Sequence, residues 1–165
     1  GIPIMTKTGH SYIKSEISKS NAILGGEMSG HIFYNDNWYG FDDGIFAALK
    51  LLEILSSKES TTHEVFNKFT QLFNTPEIKI AVEDDEKFEI VEQLKVKLKP
   101  EGYNSILIDG LRLENKDCWG LVRASNTTPS LILRFEANTE QKLMEIQEHF
   151  QKTLLEISTN LKFLN

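Results

Sequence analysis

Residues 106–135 read ILIDGLRLENKDCWGLVRASNTTPSLILRF. Four short apolar runs stand in this stretch, at Ile106–Ile108, Leu111–Leu113, Trp119–Arg123 and Leu131–Phe135. Polar residues rich in turn formers separate them, and Asp109-Gly110 has the composition of a two-residue hairpin turn. Strands joined by connections this short pair in antiparallel fashion. Upstream, Ile78–Val82 alternates as a further strand, and the spacing predicts a helix over 86–98 with Phe88, Val91 and Leu94 turned inward. Lys99-Pro100-Glu101-Gly102 ends that helix. Downstream, Asn138 or Thr139 caps a last helix whose apolar face carries Leu143, Ile146, Phe150 and Leu154. The expected unit is α+β: an antiparallel sheet with helices on one face.

The chain before it reads as α/β. Ile2–Met5 is a short apolar strand, and 11–19 is a helix with Tyr12, Ile13 and Ile17 on one stripe. Ala22-Ile23-Leu24 is a short buried strand running into Gly25-Gly26. His31–Tyr34 and Trp38–Phe41 are hairpin strands about Asn35-Asp36-Asn37. Asp42 or Asp43 then caps a helix in which Ile45, Phe46, Leu49, Leu52 and Leu55 recur at helical spacing. A polar stretch follows, and Thr61-x-x-Glu64 has the form of a capping box for a helix bearing Val65, Phe66, Phe69 and Leu72, which Asn74-Thr75-Pro76 breaks. The expected division is an α/β unit over 1–57, a connecting helix and linker over 58–76, and the α+β unit over 77–165.

Composition narrows the function classes. The 165 residues are 40% hydrophobic and 25% charged, an ordinary globular balance that can form a core. A formal net charge of −6 speaks against general nucleic-acid binding, which needs a basic footprint. Cys118 is the single cysteine, so no internal disulfide is possible, and a reducing cytoplasm is the expected compartment. No apolar run approaches the roughly 18–20 residues of a membrane span, and the first residues lack a signal-peptide pattern.

Three polar segments could carry chemistry. In Gly26-Glu27-Met28-Ser29-Gly30-His31 a carboxylate, a hydroxyl and an imidazole follow an apolar strand within five positions. Such a set offers both acceptors and donors to the adjacent hydroxyls of a polyol. A solvated strand-to-hairpin loop would have the same composition. Arg123-Ala124-Ser125-Asn126-Thr127-Thr128-Pro129 places a guanidinium, three hydroxyls and an amide on one loop between two apolar strands. That suits an anion nest with a bidentate arginine, although Ser, Asn, Thr and Pro also make plain turns. Lys7-Thr8-Gly9-His10 stands at the foot of the first helix, where His10 could touch an anionic ligand. Its residue order is wrong for a Walker-type phosphate loop. Asp42-Asp43-Gly44 reads as a helix cap rather than a metal loop, and Glu83–Glu86 as carboxylates at a helix start. Phe33, Tyr34, Trp38, Tyr39 and Phe41 read mainly as packing, with one ring available to line a sugar pocket.

Taken in order, Lys7–His10, Gly26–His31, Gly40-Phe41-Asp42-Asp43-Gly44 and Arg123–Pro129 resemble the bacterial phosphomannomutase/phosphoglucomutase branch of the α-D-phosphohexomutases, over residue 1 to about Leu154. The resemblance implies a four-domain enzyme. Its first domain carries a phosphoserine that donates to a hexose phosphate, and its second holds Mg²⁺. The third reads the sugar hydroxyls, and the fourth, of TATA-binding-protein-like fold, clamps the phosphate that is not transferred. On this chain it implies that Glu27 and Ser29 bind sugar hydroxyls and that His31 is the catalytic residue near the reacting hydroxyl. It places His10 at the pocket edge and makes Arg123, Ser125, Asn126 and Thr127 the phosphate clamp. No serine loop or Asp-x-Asp-x-Asp-Arg metal loop of the family type is present, so the expected piece is the end of the third domain plus the fourth, inactive alone. Its expected partners are the hexose phosphate and the remaining domains of the same enzyme, with neither nucleic acid nor membrane. Met28 and Asn126 stand where phosphoglucosamine mutases typically have Gln and Gly, which favours the mannose/glucose branch. A non-catalytic sugar-phosphate-binding module and the phosphoglucosamine mutase branch are the alternatives.

Overall fold

Two apolar sets, separate along the sequence, build two units. The computed structural model describes residues 1–163, and the chain divides between Gln71 and Leu72. No helix among the described residues is long and apolar enough to cross a membrane.

The first unit holds α1 (His10–Ser20), β1 (Leu24–Gly26), β2 (Ile32–Tyr34), α2 (Gly44–Ser56) and α3 (Thr62–Phe66). Its core is small. Ile13 and Ile17, one helical turn apart on α1, pack with Phe33 of β2. Gly25 is required between them: a Cβ there would lie 2.7 Å from the Ile13 side chain and 2.9 Å from that of Ile17. Strands β1 and β2 form an antiparallel pair with Gly25 opposite Phe33. Asp43 caps α2 by accepting from the Phe46 N–H, and Thr61 and Glu64 make the reciprocal capping box of α3.

Several expectations change here. Ile2–Met5 forms no strand, and Ile2, Ile4 and Met5 are exposed; among the described residues no other strand supplies the ladder that a strand needs. Tyr12 is exposed while Ile13 and Ile17 are buried. The strand expected at Ala22–Leu24 begins at Leu24, and Ile23 and Leu24 are exposed because the sheet has only two strands to cover them. Trp38–Phe41 is not a strand. Asn37 and Gly40 take left-handed backbone, the Gly40 N–H turns back to the Tyr34 carbonyl, and only Phe33 and Asp42 bridge. Ile45, Leu49 and Leu52 of α2, expected to face a core, are exposed for want of a broader sheet beside them. Helix α3 ends at Phe66, before Phe69 and Leu72.

The second unit holds β3 (Phe73–Asn74), β4 (Ile78–Ala81), α4 (Lys87–Lys97), β5 (Asn104–Ile106), β6 (Leu111–Glu114), β7 (Cys118–Ala124), β8 (Ser130–Ala137) and α5 (Glu140–Ile157). The sheet runs β3-β8-β7-β6-β5, with β4 also on β8, and every pairing is antiparallel. Alternate residues of the strands, among them Leu111, Leu113, Val122, Leu133 and Phe135, meet Leu94 of α4 and Ile146, Phe150 and Leu154 of α5 in one buried cluster. This is the expected α+β arrangement, with Thr139 capping α5.

Three details differ. Phe88 is exposed, and Lys87, Ile90, Val91 and Leu94 form the buried side of α4. Ile106 pairs with Arg112, so the β5–β6 connection is longer than Asp109-Gly110 alone. Gly110, with φ of 77°, sits where a Cβ would lie 2.7 Å from the Arg123 Cα, so the turn packs directly on β7. The Asn74-Thr75-Pro76 break becomes a short edge: Phe73 and Asn74 pair with β8, and buried Thr75 exchanges hydrogen bonds with the Phe135 backbone.

Candidate functional site

In the first unit the polar motifs meet through two short contacts. The Gly9 N–H, just before α1, donates to Glu27 Oε1 at 2.6 Å. Gly9 has no capping side chain of its own, so the Glu27 carboxylate serves the helix start from the next loop, where negative charge suits the dipole. That bond holds the Gly26–His31 loop against the backbone of Lys7–His10, with His10 exposed as the first residue of α1. The loop itself turns by Glu27 N–H to His31 O and Gly30 N–H to Glu27 O, at 2.9 and 3.0 Å. Ser29 Oγ donates to Glu27 Oε2 at 3.1 Å.

The second contact joins His31 Nδ1 to Asp42 Oδ2 at 2.6 Å. By sequence, Asp42 and Asp43 are both candidates for the helix cap. The two divide the work: Asp43 caps α2 and accepts from Trp38 Nε1, while Asp42 holds the imidazole. Trp38 also stacks on Phe46 at 4.0 Å, so those rings are packing, whereas Tyr39 and Phe41 stay exposed. Glu27, Ser29 and His31 thus share one turn, and the Gly9 contact brings the backbone of Lys7–His10 to it.

In the second unit the β7–β8 connection is an organised loop. Its centre is Ser125, 5% exposed, whose Oγ accepts from the Thr127 N–H, the Thr128 N–H and the Thr128 hydroxyl. Thr128 Oγ1 also meets Ser130 Oγ at 2.7 Å, and Ser125 N–H closes the loop onto the Ser130 carbonyl. Ser125 is therefore the hub of the turn, and Asn126 and Thr127 form its exposed tip. Arg123, with 15% of its side chain exposed, lies on the strand leading in; its Nε is 4.0 Å from Asp109 Oδ2 and its Nη1 donates to the Ala124 carbonyl at 3.5 Å. A guanidinium carries five donors, so others remain for an incoming anion.

Lys87 completes the loop and was not singled out in the sequence. Its Nζ donates to the Thr128 carbonyl at 3.3 Å and to Asp84 Oδ1 at 2.7 Å. The one local sign was the Asp84–Lys87 spacing within a charge run at a helix start, which looks like any exposed pair. Asp109 likewise has the sequence context of a turn residue only.

Among the described residues no group of three or more His, Cys, Asp and Glu side chains is placed to hold a metal ion. Asp42 and Asp43 are engaged as described, so this donor set does not fit Mg²⁺.

Two models of one protein family match the chain in tandem. Residues 1–73 match "Phosphoglucomutase/phosphomannomutase, alpha/beta/alpha domain III", and residues 77–153 match "Phosphoglucomutase/phosphomannomutase, C-terminal domain". The phosphomannomutase/phosphoglucomutase of Pseudomonas aeruginosa is 47% identical over 98% of this chain and 35% of its own length. The phosphoglucomutase of Neisseria meningitidis serogroup A is 48% identical with the same coverage. A crystal structure of a phosphoglucomutase/phosphomannomutase family protein from Burkholderia thailandensis superposes with a TM-score of 0.88 at 38% identity, over 98% of this chain and 34% of that one. The chain therefore spans about a third of the length of these relatives, in the segment that holds domain III and the C-terminal domain.

Proposed function

The chain belongs to the phosphoglucomutase/phosphomannomutase family, and from that membership we propose that it is the sugar- and phosphate-recognising part of an enzyme interconverting hexose 6-phosphate and hexose 1-phosphate. The observation that carries the reading is the closed Ser125–Ser130 turn beside Arg123, with a buried ammonium behind it. Such a turn offers donors and positive charge to a phosphate at little reorganisation cost. Arg123, Asn126 and Thr127 bind the phosphate that is not transferred, and Ser125 fixes the loop that presents them. In the first unit Glu27 accepts from sugar hydroxyls, Ser29 exchanges hydrogen bonds with them, and His31 stands at the hydroxyl that reacts. His10 lines the edge.

The donor phosphoserine and the Mg²⁺ loop lie in the part of such an enzyme that this sequence does not contain. Mg²⁺ supplies charge neutralisation to the transferring group. The residues of this chain bind and orient the sugar and hold its distal phosphate, which converts binding energy into position. The cytoplasm, where sugar phosphates are made and consumed, is the fitting compartment.

The test is reconstitution. The chain is mixed with the phosphorylated N-terminal part of the Pseudomonas aeruginosa relative, and conversion of mannose 6-phosphate to mannose 1-phosphate is followed. Turnover in the mixture, absent from either piece and reduced with Arg123→Ala, is expected. Turnover by this chain alone, or equal turnover with Arg123→Ala, contradicts the assignment.

A further inference from the structure

We propose that Asp42 is a positioning residue for His31, holding the imidazole in the tautomer that presents a bare Nε2 to a sugar hydroxyl. The proposal rests on the reading of His31 given above, and it extends that reading to a residue outside the recognition loop.

The geometry is local and well anchored. Asp42 Oδ2 lies 2.6 Å from His31 Nδ1. The two residues are 11 apart in sequence, but the backbone brings them together. Asp42 bridges Phe33, and the Asp43 N–H donates to the Ile32 carbonyl at 3.3 Å. Phe33 is fully buried and pairs with Gly25 in the β1–β2 ladder. The Asp42 backbone is thus tied to the strand that follows His31. Helix capping does not account for its carboxylate, because Asp43 fills that role with Oδ1 on the Phe46 N–H.

The chemistry follows from what each group can do. An ionised carboxylate only accepts, so the proton between the pair belongs to Nδ1. In a neutral imidazole the other nitrogen is then an acceptor. Nε2 can take a hydrogen bond, or a proton, from a hydroxyl, and in the protonated ring it returns one. Carboxylate partners fix histidine orientation in this way in triads and around metals. Both side chains are partly exposed, at 53% and 37%, which leaves the ring reachable by a ligand.

The experiment reads the tautomer directly. Side-chain nitrogen NMR of the labelled chain, at a pH where the ring is neutral, is expected to show His31 predominantly protonated at Nδ1. Asp42→Ala is expected to leave a mixture of tautomers, and Asp42→Asn to favour Nε2–H, because the amide can donate to a bare Nδ1. A wild-type ring predominantly protonated at Nε2, or a tautomer unchanged in Asp42→Ala, overturns the proposal. The wild-type spectrum decides even if a variant fails to fold. The function reading is probed by a different signal: if His31 ignores added mannose 6-phosphate while its tautomer stays set by Asp42, the sugar assignment fails and the pairing stands.

Discussion

The Lys87 ammonium lies 3.3 Å from the carbonyl oxygen of Thr128, 41 residues further along the chain, with only 6% of its side chain exposed. A buried cation is costly unless it is paired and hydrogen-bonded. Here Asp84 supplies the counter-charge and the loop backbone supplies the acceptor. The same contact fixes the loop from behind and adds positive charge to it. Lys87→Met keeps the apolar stem and removes the head. Losing a charged hydrogen bond costs about 1.5–3 kcal/mol, and relief from burying the charge offsets part of that in global stability. The expected result is a small change in melting temperature, shifted amide resonances at Ser125–Ser130, and phosphate-ligand affinity lower by about tenfold. Unshifted loop resonances would show that Lys87 does not hold the loop.

Arg123→Ala removes the guanidinium from the loop's entry strand. The expected loss is about 1.5–3 kcal/mol of binding to a sugar phosphate, roughly 10- to 150-fold in Kd, with binding of the unphosphorylated sugar unchanged. Calorimetric titration with both ligands reads it. Equal weakening for both sugars would show that Arg123 does not act on the phosphate.

Gly110→Ala tests the packing of the β5–β6 turn on the same strand. The new methyl would meet the Val122 carbonyl and the Arg123 backbone at a positive φ. Backbone strain of this kind costs about 1–3 kcal/mol. A lower melting temperature is expected together with weaker phosphate binding, because the displaced backbone is that of Arg123. A variant as stable as the parent would show that the turn does not need its glycine.

Tyr103 sets a limit at alkaline pH. Its phenol is pushed up from 10.0 to about 12, chiefly by burial and then by its hydrogen bond with Cys118. The folded state therefore favours the neutral phenol. This contribution is fully present below pH 10 and is lost as pH rises towards about 12, because the unfolded chain ionises first. Thermal midpoints measured from about pH 9 to about pH 12 are expected to fall more steeply for the parent than for Tyr103→Phe. Parallel curves would contradict the burial of this hydroxyl.

What was legible in the sequence divides by range. The Thr61–Glu64 box, the Thr139 cap and the apolar face of α5 depend on residues within a turn of one another, and the structure has all three. The β6, β7 and β8 strands depend on alternation and on turn residues between them, which are equally local. Phe88, inward by spacing alone, is exposed because the phase of α4 is set by the sheet beneath it, which selects Ile90 and even Lys87 for the buried side. The hairpin expected at Trp38–Phe41 failed because Trp38 had a better partner in Phe46, on a helix still to come. For the candidate site, the loop residues stood out by composition, whereas Asp42 and Lys87 did not. Each reaches its target through a fold contact, the Phe33–Asp42 bridge in one case and the packing of α4 against the Thr128 turn in the other.

The most direct measurement of the central claim is an NMR titration of the labelled chain with mannose 6-phosphate, with free mannose as control. Specific shifts at Arg123–Thr127 with the phosphorylated sugar, absent with free mannose, are the predicted result. Identical responses to the two sugars, or no response in the loop once the N-terminal part of the Pseudomonas aeruginosa relative has been added, would contradict it.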